Sequence, residues 1–205
     1  MKIKSILLAG AMAAAIISTA FQAQASTVLY SNGAINGTDA RSINNGWSIS
    51  NSFTLSSSAT PVGVSAGIWT DPGDRITSVD WAITSTVFGS ILASGTASSI
   101  TNTYIGPDSG AFYDINEASF AISSPTLAAG TYYFQLGNAV SQNGGGVFWD
   151  ISNGPSTALQ INPSLAISQN VNSQSFQITA VPEPSSFALL GLGAFGLVAR
   201  RRRSA

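Results

Sequence analysis

The sequence predicts an all-β body, an antiparallel two-sheet sandwich that is jelly-roll-like, set between an N-terminal signal peptide and a C-terminal short transmembrane helix. Three observations predict the body. Apolar residues alternate with polar ones in short runs of period two; Gly, Asn, Ser and Pro separate the runs; and no stretch combines a 3.6-residue apolar stripe with capping signals.

Taken in order, the chain opens with Lys2 and Lys4, an apolar run from Ile6 to Ala20, and the small-x-small box Ala23-Gln24-Ala25 before Ser26. A basic head, an apolar middle and a small-residue exit form a signal peptide over residues 1–25, exported by the Sec machinery and cut by signal peptidase. The body, residues 26–180, then gives about eight short strands. Phe53 and Leu55 share a phase, as do Val62, Val64, Ala66 and Ile68, and then Val79, Trp81 and Ile83. Ile91 and Leu92 precede Ser94-Gly95, and Tyr132, Phe134 and Leu136 follow Ala129-Gly130. Val147, Trp149 and Ile151 follow a glycine-rich loop, and Phe176, Ile178 and Ala180 close the body. Leu159 to Ile167 is interrupted by Pro163 and reads as loop or edge strand. A membrane barrel needs longer strands and aromatic girdles, and a β-helix needs a fixed repeat; neither is present in the sequence.

Charge is sparse. Between residues 26 and 180 the cations Arg41 and Arg75 face seven aspartates and one glutamate, a net charge of minus six. Nucleic acid is thereby an unsuitable partner, since phosphate neutralisation needs clustered Lys and Arg. The chain has no Cys and no His. That excludes disulfides, Ser-His-Asp and Cys-His nucleophiles, and thiolate or imidazole metal sites, and leaves carboxylate hydrolysis and oxygen-ligand metal sites.

Residues 181–205 read Val181-Pro182-Glu183-Pro184, then an apolar run from Phe187 to Val198, then Arg200, Arg201, Arg202 and Arg203. Two prolines around a glutamate hold an extended peptide that a protease can engage. A helix from Ser185 to Ala199 would span about 22 Å, short of a typical bilayer core of ~30 Å, and the arginines would stop its transfer. This order and these letters resemble the PEP-CTERM tail of Gram-negative bacteria, a tail also named after ice-binding proteins; the body itself lacks a repeated Thr-x-Thr ladder. Residues 50–155 also resemble exported PEP-CTERM bodies, through Ser52-Phe53-Thr54-Leu55, Ser78-Val79-Asp80-Trp81, Leu127-Ala128-Ala129-Gly130-Thr131-Tyr132 and Val147-Phe148-Trp149-Asp150. The resemblance implies an exosortase acting at Pro182, Glu183 and Pro184, a transient hold in the inner membrane, release to the surface or extracellular matrix, and an association with exopolysaccharide and biofilm.

Two clusters in the body are candidate sites. Asp71-Pro72-Gly73-Asp74 surrounds a tight turn and Asp80 follows six residues on. Three carboxylates and loop carbonyls suffice for calcium, and the same residues also read as an ordinary turn. Trp81 and Trp149 share phase with aliphatic neighbours and are expected in the core. Trp69, Tyr133 and Phe148 are out of phase with theirs and are expected to face outward, where rings stack on sugars; packing under a loop is the other reading. A glycosidase needs two carboxylates about 5 to 10 Å apart across a cleft, and nothing marks a pair among Asp114, Glu117 and Asp150. The expected function is a non-catalytic, exopolysaccharide-associated surface or matrix protein; the alternative is a secreted carboxylate-dependent polysaccharide hydrolase.

Overall fold

Short alternating runs become strands because each buries one face, and the computed structural model, which describes residues 26–181, arranges them in two antiparallel sheets. In chain order the strands are β1 (Thr27–Ser31), β2 (Ala40–Ser42), β3 (Ser48–Leu55), β4 (Gly63–Thr70), β5 (Ile76–Thr84), β6 (Ile91–Ala97) and β7 (Thr101–Pro107). They continue as β8 (Asp114–Ala121), β9 (Gly130–Ser141), β10 (Val147–Asp150), β11 (Ala158–Asn162), β12 (Ile167–Val171) and β13 (Phe176–Ala180).

The first sheet is built around β4. β8 pairs with it from Gly63 to Thr70 on one side. On the other, β13 pairs over Gly63–Ala66 and β10 over Ile68–Thr70. Gly67 bridges the join by donating its N–H to the Ser175 carbonyl at 3.3 Å. β1 flanks β13, β2 flanks β10 and β7 flanks β8. The second sheet runs β12-β11-β3-β9-β5-β6.

The two inner faces share one apolar core. Ile49 and Phe53 of β3, Phe134 and Leu136 of β9, and Val79 and Ile83 of β5 meet Val64 and Ile68 of β4, Trp149 of β10 and Ile178 of β13. Phe134 stacks on Phe176 with centroids 5.6 Å apart and meets Trp149 edge-on at 6.0 Å. The indole N–H of Trp149, whose side chain is fully buried, donates to the Ser175 carbonyl at 2.8 Å, so its polar atom is satisfied. Trp149 and Trp81 occupy the core as their phase predicts. Each such ring contributes roughly 1.5–3 kcal/mol by leaving water.

Among the described residues there are more strands than the alternation alone predicts. β7 and β8 escape it because their inward positions include Asn102, Tyr104 and Asn116 rather than aliphatics. Pro163 opens a 3-10 turn, Pro163–Leu165, capped by the Asn162 side chain on the Leu165 N–H at 3.3 Å. That turn joins β11 to β12, so the segment is a hairpin with β12 at the sheet edge. The expected signal peptide, with its Ala23-Ala25 exit, and the sorting tail from Pro182 through Arg203 lie outside the described residues. Among the described residues no helix is long and apolar enough to cross a membrane.

Candidate functional site

On the outer face of the first sheet, β4 places Trp69 and β10 places Phe148 and Asp150, and the β7–β8 loop brings Tyr113 against both rings. Tyr113 lies 6.0 Å from Trp69 and 5.2 Å from Phe148, centroid to centroid. Asp108 fixes that loop: its carboxylate accepts N–H groups of Gly110, Phe112 and Tyr113 at 2.7–2.8 Å. Burial opposes its ionisation, but these amides outweigh burial and hold its carboxyl below the usual value.

The expectation of an exposed Trp69 is corrected here. Trp69 does point away from the core, yet it is only 5% exposed. The β1–β2 loop covers it, and its indole N–H donates to Asp150 at 2.8 Å. Asp150 is fully buried and also accepts the N–H groups of Asn36 and Gly37, both at 3.0 Å, which pins the covering loop to the sheet. Burial pushes the Asp150 carboxyl above its usual value despite those three donors. Phe148 is half-buried, so of the three aromatic candidates Trp69 is closed off and Phe148 is partly covered.

The three aspartates of the candidate calcium site do not converge, which corrects that expectation too. Asp74 is buried; its carboxylate accepts the Arg75 N–H at 2.7 Å and the Asn143 N–H at 3.2 Å. Burial works against its ionisation, and these amides override it and hold the carboxyl low. Asp71 caps the same turn through its carbonyl, which accepts the Asp74 N–H at 2.9 Å. Asp80 lies on β5, on the outer face of the second sheet, and extended chain at about 3.3 Å per residue carries it well away from Asp74. Among the described residues no group of three acidic side chains could hold a metal ion.

Asp80 instead lines a groove on the outer face of the second sheet, opposite Gly137 of β9. β9 runs through the middle of the second sheet, and its outward residues Tyr133, Gln135 and Gly137 form a strip. Ser48 and Asp80 flank Gly137, and Thr96 follows Asp80 on β6. Asp80 accepts hydrogen bonds from Thr96 at 2.5 Å and Asn138 at 2.9 Å. Gln135 donates to the Thr84 hydroxyl at 3.0 Å. The register slips between Ser78 and Asp80, so β9 carries an extra residue there. Asn138 sits in that bulge at φ 48°, a left-handed conformation that Asn tolerates, and is thereby turned toward Asp80. A side chain on Gly137 would strike the Ser48 hydroxyl, so glycine keeps the floor open. The result is an open groove of about 380 Å³ with carboxylate, amide and hydroxyl groups along it and Tyr133, half-buried, further along β9. Gln135 was legible in the sequence as a phase-mate of Tyr133; Asn138 and Thr96 were not, because a bulge and a cross-strand pairing bring them in.

Residues 180–203 match the family model of the PEP-CTERM protein-sorting motif. The chain carries a PEP-CTERM sorting motif. Pro182-Glu183-Pro184 and Arg200–Arg203 both fall within the match. The motif marks an exported protein that is anchored in the membrane, processed by an exosortase and then displayed at the surface. No curated protein matches the chain.

Proposed function

We propose that this protein is a non-catalytic surface or extracellular-matrix component that contacts exopolysaccharide through the outer face of its second sheet. The single observation that carries the reading is the Tyr133–Gln135–Asp80–Asn138 strip. Two amides and a carboxylate along an open groove suit the hydroxyls of a sugar chain, and Tyr133, beyond the groove on the same face of β9, offers a ring to the C–H face of a further sugar unit. The strand orders β1-β13-β4-β8 and β3-β9-β5-β6 are those of a jelly roll, an architecture that hosts lectin domains; this support is analogy of fold alone. Export by a signal peptide over residues 1–25, a transient inner-membrane helix before Arg200 and removal of the tail at Pro182-Glu183-Pro184 complete the route. Hydrolysis is disfavoured because a glycosidase acid needs a raised pKa with access to the leaving group, and the buried Asp150 carboxyl, which is raised, is sealed under a loop.

The test is retention of the full chain on immobilised exopolysaccharide from its own cells. Tyr133→Ala and Gln135→Ala are expected to lower retention several-fold with the melting temperature intact, and no reducing sugar is expected. Unchanged retention in both variants would overturn the strip as the contact, and steady release of reducing sugar would establish the hydrolase.

A further inference from the structure

One end of the sandwich stays open where the inner face of β7 and β8 extends past the start of β5, leaving a cleft of about 490 Å³. Strand phase aims polar groups into it. Asn116 pairs with Ile68 and Tyr104 pairs with Asn116, so both share the core-facing side of the first sheet. Asn102 has the same phase and spans the gap, donating to the Ile76 carbonyl of β5 at 3.0 Å.

Three features of the cleft are unmatched within the protein. Asn116 is only 6% exposed and lines the cleft, where its carboxamide makes no hydrogen bond to the described residues and is not sealed from solvent. The side-chain carbonyl oxygen of Asn102 is buried with no partner. Arg75, at the rim, is exposed and makes no ion pair among the described residues, whereas Arg41 pairs with Asp39 at 3.0 Å. A buried amide normally finds a partner, and a lone guanidinium in a body of net charge minus six is conspicuous.

We infer that this cleft is a second binding site and that its ligand is a sugar unit bearing a carboxylate, a uronic acid. The planar Arg75 fork matches a carboxylate. Asn116 supplies N–H donors and an acceptor, and the Asp114 carboxylate accepts from ring hydroxyls. Asp114 is already held in place by the Gly73 N–H at 2.7 Å. Tyr104, 59% exposed, offers a ring face to the sugar C–H surface. A simple anion would leave these acceptors unused, and a neutral sugar would leave the Arg75 guanidinium without a hydrogen-bonded carboxylate. The choice of a sugar rests on the glycan reading above, but none of the cleft residues belongs to the second-sheet strip.

The test is calorimetric titration of the full chain in detergent with tri-galacturonate, with maltotriose as the neutral control. Tri-galacturonate is expected to bind, maltotriose at least about tenfold more weakly, and salt is expected to weaken the first. Arg75→Gln and Tyr104→Ala, both at exposed positions, are expected to lower tri-galacturonate affinity at least about tenfold without changing the melting temperature. Tyr133→Ala is expected to leave it intact. Absence of tri-galacturonate binding, equal binding of the two sugars, or unchanged affinity in either cleft variant would overturn the assignment. If tri-galacturonate fails while Tyr133-dependent retention on polysaccharide persists, the cleft alone is refuted. If the cleft binds while that retention is insensitive to Tyr133 and Gln135, the strip alone is refuted.

Discussion

The indole N–H of Trp69 donates to the carboxylate of Asp150 across 2.8 Å on the outer face of a β-sheet, with both residues buried. An outward-facing tryptophan therefore belongs to a second, smaller packed layer: the β1–β2 loop above, the sheet below and Tyr113 beside it. Trp69→Ala is expected to cost about 3–5 kcal/mol, the range for removing a buried aromatic. Urea denaturation measures it; a loss below about 1 kcal/mol would mean that the loop does not seal the ring in solution.

The glycine beneath that loop is the tightest point of the same layer. A Cβ on Gly67 would lie 2.5 Å from the Ser175 hydroxyl, 2.8 Å from Ile35 and 2.9 Å from the Asp150 side chain. Gly67→Ala is expected to destabilise by about 1–3 kcal/mol through overpacking. It should also raise amide exchange at Asn36 and Gly37, whose N–H groups need Asp150 in place. Wild-type exchange at those amides in a destabilised variant would show that the strain is relieved elsewhere.

Trp69 also shows where the sequence stops being legible. Period-two phase placed it correctly on the outer side of β4, as it placed Trp81 and Trp149 in the core, because side-chain alternation is a local property of a strand. Its burial comes from Ile35, Asn36 and Gly37, more than thirty positions earlier, and from an aspartate on β10; no local pattern encodes that meeting. The Asp71–Asp74 turn was legible for the same local reason, whereas the separation of Asp80 from it follows from the run of β5. The second-sheet groove divides likewise, with Tyr133 and Gln135 readable by phase and Asn138 supplied by a bulge. Asn116 and Asn102 were invisible because a polar inward residue looks, in sequence, like a break in a strand.

The carboxylates give the stability a two-sided pH dependence. Asp74 and Asp108 have folded-state values below their unfolded ones, so their contribution is present above about pH 4 and lost as pH falls through the folded values. Asp150 has a folded-state value above its unfolded one; its contribution is present below about pH 4 and lost as pH rises through the folded value. Asp150→Asn is therefore expected to remove a decline on the neutral side while leaving the acid limb, and Asp108→Asn to flatten the acid limb. Urea midpoints from pH 3 to 8 read both, and parallel curves for wild type and Asp150→Asn would refute the assignment of that decline.

Calcium is not expected to stabilise the body. A ligand that binds only the folded state raises stability by RT ln(1 + [L]/Kd), and Asp71, Asp74 and Asp80 offer no shared point for an ion. Melting curves of the protein with calcium and with a chelator should superimpose. A shift of several degrees would require ligands other than this trio.

The sorting motif makes the last prediction. Glu183 lies between Pro182 and Pro184, after the last strand of the body in the sequence and outside the described residues. Glu183→Ala should change folding by less than ~0.5 kcal/mol, the usual range for a surface substitution. The same substitution should block tail removal, because the match over residues 180–203 centres its Pro-Glu-Pro peptide on this side chain. Flanking prolines fix the backbone in an extended form and withhold one N–H each, so the carboxylate is the most distinctive group a processing enzyme can read there. Mass measurement of the protein from cells with an active exosortase separates the outcomes: the variant should retain residues through Ala205 while the wild type is shortened. Equal shortening of both would mean that the prolines alone specify the site, and a Pro182→Ala, Pro184→Ala chain should then be the one that escapes processing.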